Sequence, residues 1–302
     1  MESIARHTAR WQLRTRTLDL GARTLVMAAV NITPDSFSDG GFFLDTEAAV
    51  ARCVQCLEEG ADLLDLGAES TRPGSQAGGA APAVSAGEEQ ARLLPVLDGI
   101  LKAAPQAVVS VDTYKAATAR VAIAAGAEIV NDVSGFTWDP DMPAECAAGK
   151  AGVVLTHTRG TPDAWRTQQQ LAPEAVLATV RDGLAASVSL ARNAKIPLHA
   201  IVLDPGYGFG KKFGENFSLL KRQAELLSLG RPLLAGISRK SFLGHTLAPL
   251  YGGMSAPVDA RENASLAAMV ASILHGASIV RVHRVRPALE AARIADAILA
   301  AG

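Results

Sequence analysis

Eight short apolar, β-prone runs recur along the chain, and polar residues gather at or near the end of each. They are TLVMAAV, DLLDLG, AVVSVD, AEIVND, GVVLTH, IVLDPG, PLLAGIS and SIVRVH. Between them lie segments with helical periodicity, such as EEQARLLPVLDGILKA, KAATARVAIAAGA, RENASLAAMVASILHGA and RPALEAARIADAILAA. Continuous apolar strands that alternate with helices imply a parallel sheet covered on its outer faces. Eight such units in roughly 280 residues match the count and size of a (β/α)8 TIM barrel. A doubly wound open sheet is the alternative, but neither a glycine-rich first turn nor a linker-like boundary favours it. The expectation is therefore one α/β domain over residues 1–302. The arginine-rich start could suggest a transit peptide. However, RWQLRTRTLDL alternates apolar and polar side chains as an exposed strand pair does. Residues 1–24 are accordingly expected to form a β-hairpin that caps the barrel.

The polar residues gather where strands give way to loops: Asn31, Asp65, Asp112, Asn131, His157, Asp204, Lys240, Arg281 and His283. A lone Asp after a strand is usually a turn residue or a helix cap. In a barrel, however, these strand ends all open on one rim, the face where active sites lie. So many acceptors, amides and cations at one rim point to a convergent site.

Several function classes are excluded by composition. A net charge of -1 and 5% aromatic residues give no case for nucleic-acid binding. No apolar run approaches the ~20 residues that span a bilayer. The 3 cysteines cannot supply a paired disulfide framework, which fits a reducing, cytoplasmic setting. CVQC at 53–56 has redox or half-zinc spacing, yet Val50, Cys53 and Leu57 share one helical face, which suggests core packing. The run IVLDPGYGFGKK is neither a P-loop, since no hydroxyl follows the lysines, nor a dinucleotide fingerprint, since its third glycine comes too early.

The residue types at the rim suggest a ligand. Asp65, Asp112 and Asp204 can accept paired N–H donors from a ring that carries an amino group beside a protonated nitrogen. Asn131 both donates and accepts, and Lys240 can donate to a ring carbonyl or nitrogen. This combination suits a nitrogen heterocycle of guanine or pterin type. Arg281 and His283 are two residues apart and share a face. A guanidinium beside an imidazole suits phosphate or pyrophosphate.

NITPDSFSDGG, DLGAESTRPGS, SVDTYK, IVNDVSG, LDPGYGFGK, GISRKSFLG and RVH together resemble the motifs of the dihydropteroate synthase family, in that family's order. The resemblance runs from about residue 25 to the C-terminus. It implies a barrel that joins 4-aminobenzoate to a hydroxymethyl-dihydropterin diphosphate and releases pyrophosphate. Carried over by position, the pterin-binding acids fall on Asp112 and Asp204, the amide on Asn131 and the lysine on Lys240. The pyrophosphate contacts fall on Arg281 and His283, and the asparagine linked to Mg2+ falls on Asn31. Thr71 and Arg72 match the flexible second loop. Phe37, Phe209 and Ser238 match residues around 4-aminobenzoate, where sulfonamide inhibitors would compete. The resemblance also implies a homodimer. Asp204, rather than the glycines after it, is then the recognition residue of IVLDPGYGFGKK.

Three features depart from the family pattern: a long second loop, GSQAGGAAPAVSAGEE; Arg284, where an acid is common; and Thr156, where methionine is usual. Two rival readings are a tetrahydrofolate-dependent methyltransferase on a similar barrel and a non-catalytic pterin-binding paralogue. The first would not need the SRKS and RVH anion cluster, and the second could lose Asn31, Arg72 or Lys240. All of these are present.

Overall fold

The computed structural model describes residues 8–32, 42–71, 74–79 and 84–301. The chain begins with an antiparallel pair, β1 (Ala9–Gln12) and β2 (Thr17–Leu20). Eight parallel strands then close a barrel: β3 (Leu25–Asn31), β4 (Leu63–Gly67), β5 (Val109–Asp112), β6 (Ile129–Asp132), β7 (Gly152–Thr156), β8 (Ile201–Asp204), β9 (Leu233–Ala235) and β10 (Ala277–Val282). They follow chain order, and β10 pairs with β3 to complete the ring. Outside them lie α1 (Phe42–Glu58), α2 (Ala86–Ala103), α3 (Ala116–Ala124), α4 (Met142–Ala148), α5 (Pro173–Asn193), α6 (Phe213–Lys221), α7 (Ser241–Thr246), α8 (Glu262–Leu274) and α9 (Val285–Ala300). Both the barrel and the hairpin agree with the sequence reading. No helix among the described residues is long and apolar enough to cross a membrane.

The period-two alternation of the strands separates two cores. Val26, Ala28, Leu64, Leu66, Val109, Val111, Val153, Leu155, Leu203 and Val280 face the helices. The alternate positions Leu25, Met27, Leu63, Val108, Ile129, Val154, Val202, Leu234 and Ile279 fill the barrel interior at its N-terminal end. The hairpin belongs to this inner core: Trp11, Leu13 and Leu20 pack into it, so the pair plugs the barrel floor. Trp11 is fully buried, and its indole N–H donates to the Ala200 carbonyl at 3.0 Å. Cys53 and Cys56 lie buried on α1 and belong to the core between barrel and helices, as the helical spacing implied.

One strand is shorter than its apolar run. PLLAGIS forms ladder only over Leu233–Ala235. A Cβ on Gly236 would sit 3.4 Å from Asp204 Oδ2. Arg239 then takes a left-handed φ of 60, and its backbone N–H bonds to Ser265 Oγ instead of a strand. The chain therefore leaves the sheet early and enters the site as loop.

If the hairpin is structural, Trp11→Ala should lower the unfolding free energy by about 3–5 kcal/mol, since it opens a cavity and strips the Ala200 carbonyl of its donor. Chemical denaturation of the variant measures this. An unchanged midpoint would mean that the barrel closes without its plug.

Candidate active site

Two residues beyond the apolar floor, the same inward positions turn polar: Asp65 after Leu63, Ser110 after Val108, Asn131 after Ile129, Thr156 after Val154, Asp204 after Val202 and Arg281 after Ile279. The exceptions are Ala29 on β3 and Gly236 after Leu234, and the small side chain of Ala29 leaves room. Arg281 crosses this gap from β10. Its Nε donates to Asp65 Oδ2 at 2.5 Å, and its Nη2 donates to Asp112 Oδ2 at 2.8 Å. Asn131 Nδ2 also donates to Asp65 Oδ2, at 3.0 Å. Asp65 is 0% exposed, and its second oxygen has no hydrogen-bond partner. Burial opposes the charge on Arg281, but the two carboxylates outweigh it and hold the guanidinium above its usual pKa. Burial lifts the Asp112 carboxyl above the usual range; Arg281 pulls it back, and Asp65 pushes it further up. The side chain of Asp112 remains 22% exposed, toward the mouth.

Asp204 ends β8 next to the glycine-rich loop. Its Oδ1 accepts the backbone N–H of Gly206 at 2.7 Å. Gly206 has a φ of 70, and any Cβ there would collide with the His157 carbonyl oxygen, so only glycine fits. Lys211 is buried beneath this turn. Its Nζ donates to the carbonyls of Gly206 (2.7 Å), His157 (3.1 Å) and Phe209 (3.3 Å). Asn216 completes the support, accepting from Gly208 N at 2.7 Å and donating to the Lys212 carbonyl at 2.8 Å. The lysine therefore grips its own backbone rather than a phosphate. Burial pushes its pKa down to about 7, with Asp204 opposing. The loop presents Phe209, whose ring lies 3.5 Å beneath Lys240 Nζ and 5.1 Å from Trp165. Burial pushes Lys240 down to about 8, again opposed by Asp204.

The remaining candidates frame this centre. His283 follows β10, and Ser238 Oγ lies 3.0 Å from its Nδ1, which fixes the ring. Asn31 is exposed at the end of β3. Thr71 stands half-buried beyond β4. Two residues before it, Glu69 pairs with Lys115, which also lies 3.4 Å from Glu89. Glu89 in turn accepts from Thr118 at 2.6 Å and Thr113 at 3.2 Å, so the root of the second loop is tied to the start of α3. Phe37 and Arg72 lie outside the described residues.

Two sequence readings change. His157 does not belong to the rim: Val154 and Thr156 point inward, so His157 points outward and is buried against Gly183 on α5. Burial, with Lys211 and Arg159 nearby, keeps its imidazole neutral. Asp65 is sealed beneath the mouth, where it holds Arg281 and Asn131. Counting strand parity would have removed His157. No local signal marked Lys211, Asn216 or Lys115: the first two act on carbonyls and amides that only the folded turn brings together, and Lys115 pairs with Glu69 and Glu89 from other segments.

The comparisons with known proteins agree with this geometry. Residues 27–283 match the family described as pterin binding enzyme. The dihydropteroate synthase of Synechocystis sp. is 39% identical over 283 residues, covering 93% of this chain and 92% of its own. Among solved structures, Xanthomonas albilineans dihydropteroate synthase with 4-aminobenzoic acid superposes with a TM-score of 0.84 at 37% identity, covering 97% of this chain and 99% of that one. A Yersinia pestis dihydropteroate synthase in complex with a sulfonamide drug gives a TM-score of 0.85 at 34% identity, covering 97% and 100%. The chain belongs to the pterin-binding enzymes and, within them, to the dihydropteroate synthase family.

Proposed function

We propose that this chain condenses 6-hydroxymethyl-7,8-dihydropterin diphosphate with 4-aminobenzoate, giving 7,8-dihydropteroate and pyrophosphate. The observation that carries the reading is the convergence of Asp112, Asn131, Asp204, Lys240, Arg281 and His283 at one end of the barrel, with Arg281 bonded directly to Asp112. The carboxylates and the amide accept and donate to the pterin edge. The cations face the leaving group, where charge develops as the bond breaks. The bond from the pterin methylene to the diphosphate oxygen breaks, and its electron pair leaves with the diphosphate. The resulting positive charge is conjugated with the ring and favoured by Asp112 and Asp204. The arylamine nitrogen then forms the new C–N bond and loses its proton to solvent. An arylamine is uncharged near neutral pH, so no strong base is required. No side chain need bond covalently to substrate.

Magnesium fits only in part. Among the described residues there is no cluster of three carboxylate, imidazole or thiol ligands, and Asp65 and Asp112 are already engaged by Arg281. Asn31 offers one neutral hard oxygen, a donor that suits Mg2+ when diphosphate oxygens and water complete the shell. Bound in that way, the ion would supply charge neutralisation for the leaving diphosphate. Sulfonamides would compete for the 4-aminobenzoate position beside Phe209 and Ser238. Phe37 and Arg72 are assigned there by family position alone.

A cytoplasmic homodimer is the accompanying proposal. Leu250 and Met254 are 78% and 74% exposed, and Phe213 and Phe217 are partly exposed on α6, where they pack on His245 and Phe242 of α7. This apolar surface supports pairing with a second copy, and light scattering measures it.

Adding both substrates with magnesium should release pyrophosphate, and the absence of release would remove the synthase reading. Asp112→Asn and Asp204→Asn should each weaken pterin binding by about 1–3 kcal/mol, because an amide donor then faces the ring's own donors. Calorimetry of both variants decides this, and unchanged affinity in both would take them out of the site. Magnesium alone should bind weakly and become tight only with pyrophosphate, an effect that Asn31→Ala diminishes. Tight binding without the anion would point to a different metal site.

A further inference from the structure

The second loop is unusually rich in glycine and alanine, and its described middle, residues 74–79, is not loosely placed. Gly74 N–H donates to the Pro162 carbonyl at 3.0 Å, and Gly74 packs on the Arg166 guanidinium. Further on, the loop lies against aromatic rings. Ala77 is buried in a small cluster with Tyr114 and Val133, and Trp138 and Phe209 pack against it. Gly78 sits on the indole face of Trp138: a Cβ there would fall 2.6 Å from Cδ2, and its φ of 69 already disfavours a side chain. Tyr114 meets Trp138 edge to face, with ring centroids 5.2 Å apart. Together these rings form a shelf on which Ala77 and Gly78 lie, and Phe209 packs on the same cluster.

We propose that Trp138 is a positioning residue for the second substrate: through Gly78 and Ala77 it sets where the second loop lies relative to Phe209. This rests on the synthase reading, which puts 4-aminobenzoate beside Phe209 and Ser238 and, by family position, beside Arg72 of the second loop. Trp138 comes from the β6–α4 loop, outside the ladder of inward polar residues that receives the pterin. The shelf itself contains none of the residues assigned to the pterin, and it reaches them only through Phe209 beneath Lys240. It also accounts for the loop's composition. A flat indole accepts a chain of glycine and alanine in close contact, whereas larger side chains would hold the backbone away from it.

The test uses Trp138→Ala, Trp138→Phe and Gly78→Ala in the full chain, with thermal melting to confirm folding. Amide hydrogen exchange across residues 69–85 reads loop position without requiring turnover. Trp138→Ala and Gly78→Ala should both speed exchange there, and Trp138→Phe should not. In steady-state assays, Trp138→Ala should raise the KM for 4-aminobenzoate about tenfold while calorimetric affinity for the pterin diphosphate stays within about twofold. The phenylalanine variant should recover most of the loss. The double variant should be no worse than the poorer single one, because both changes break one contact. If Trp138→Ala does not fold, the other two variants carry the test. Unchanged exchange, equal losses for both substrates, or additive effects in the double variant would overturn the proposal. Wild-type turnover stands apart: its failure would remove the synthase reading, while unchanged exchange would remove the shelf whatever the reaction.

Discussion

The Arg281 guanidinium, held between Asp65 and Asp112, is the interaction around which the upper barrel is arranged. Charges buried in a barrel interior cost more than their mutual attraction returns unless further hydrogen bonds saturate them. Here Asn131 adds a donor to Asp65, and Asp112 keeps access to the mouth. The arrangement crosses β3 and unites β10, β4, β5 and β6, so Asp65, Asn131, Asp112 and Arg281 are all set by the same contacts. Ala29 is small because this bridge passes over it. The apolar floor below, plugged by Trp11, excludes water from the lower side and leaves the charges a single exposed side.

The fold was legible because its signal repeats. Each strand is a continuous apolar run and each helix a 3.6-residue pattern, so eight consistent units outweigh any ambiguous one. The hairpin was legible from alternation alone. At the site, residue type and strand-end position were enough to gather Asp112, Asn131, Asp204, Arg281 and His283. Depth was harder to read. Asp65 and Asp112 look equivalent as aspartates near strand ends, yet one lies a layer lower than the other. His157 looked equivalent to Asp204 until parity turned it outward.

What remained hidden was the supporting structure. Lys211 follows a glycine run and invites a phosphate reading, and only the folded turn shows three carbonyls converging on its ammonium. Lys115, Glu69 and Glu89 come from separate segments, and no spacing in the chain announces their meeting. Trp138 is one aromatic residue in a loop. Such groups are chosen by what they hold, and what they hold is assembled only when the turns and segments around them fold.

The early departure of β9 from the sheet affects how the barrel breathes. β8 meets β9 through a single register pair, whereas β3 meets β4 through five. The ring is therefore weakest at one seam, and that seam is bordered by Asp204 on one side and the approach to Lys240 on the other. Local opening begins where the fewest backbone bonds must be surrendered. The seam with the fewest register pairs is thus the one beside Asp204, while the opposite staves are joined more fully around the buried charges.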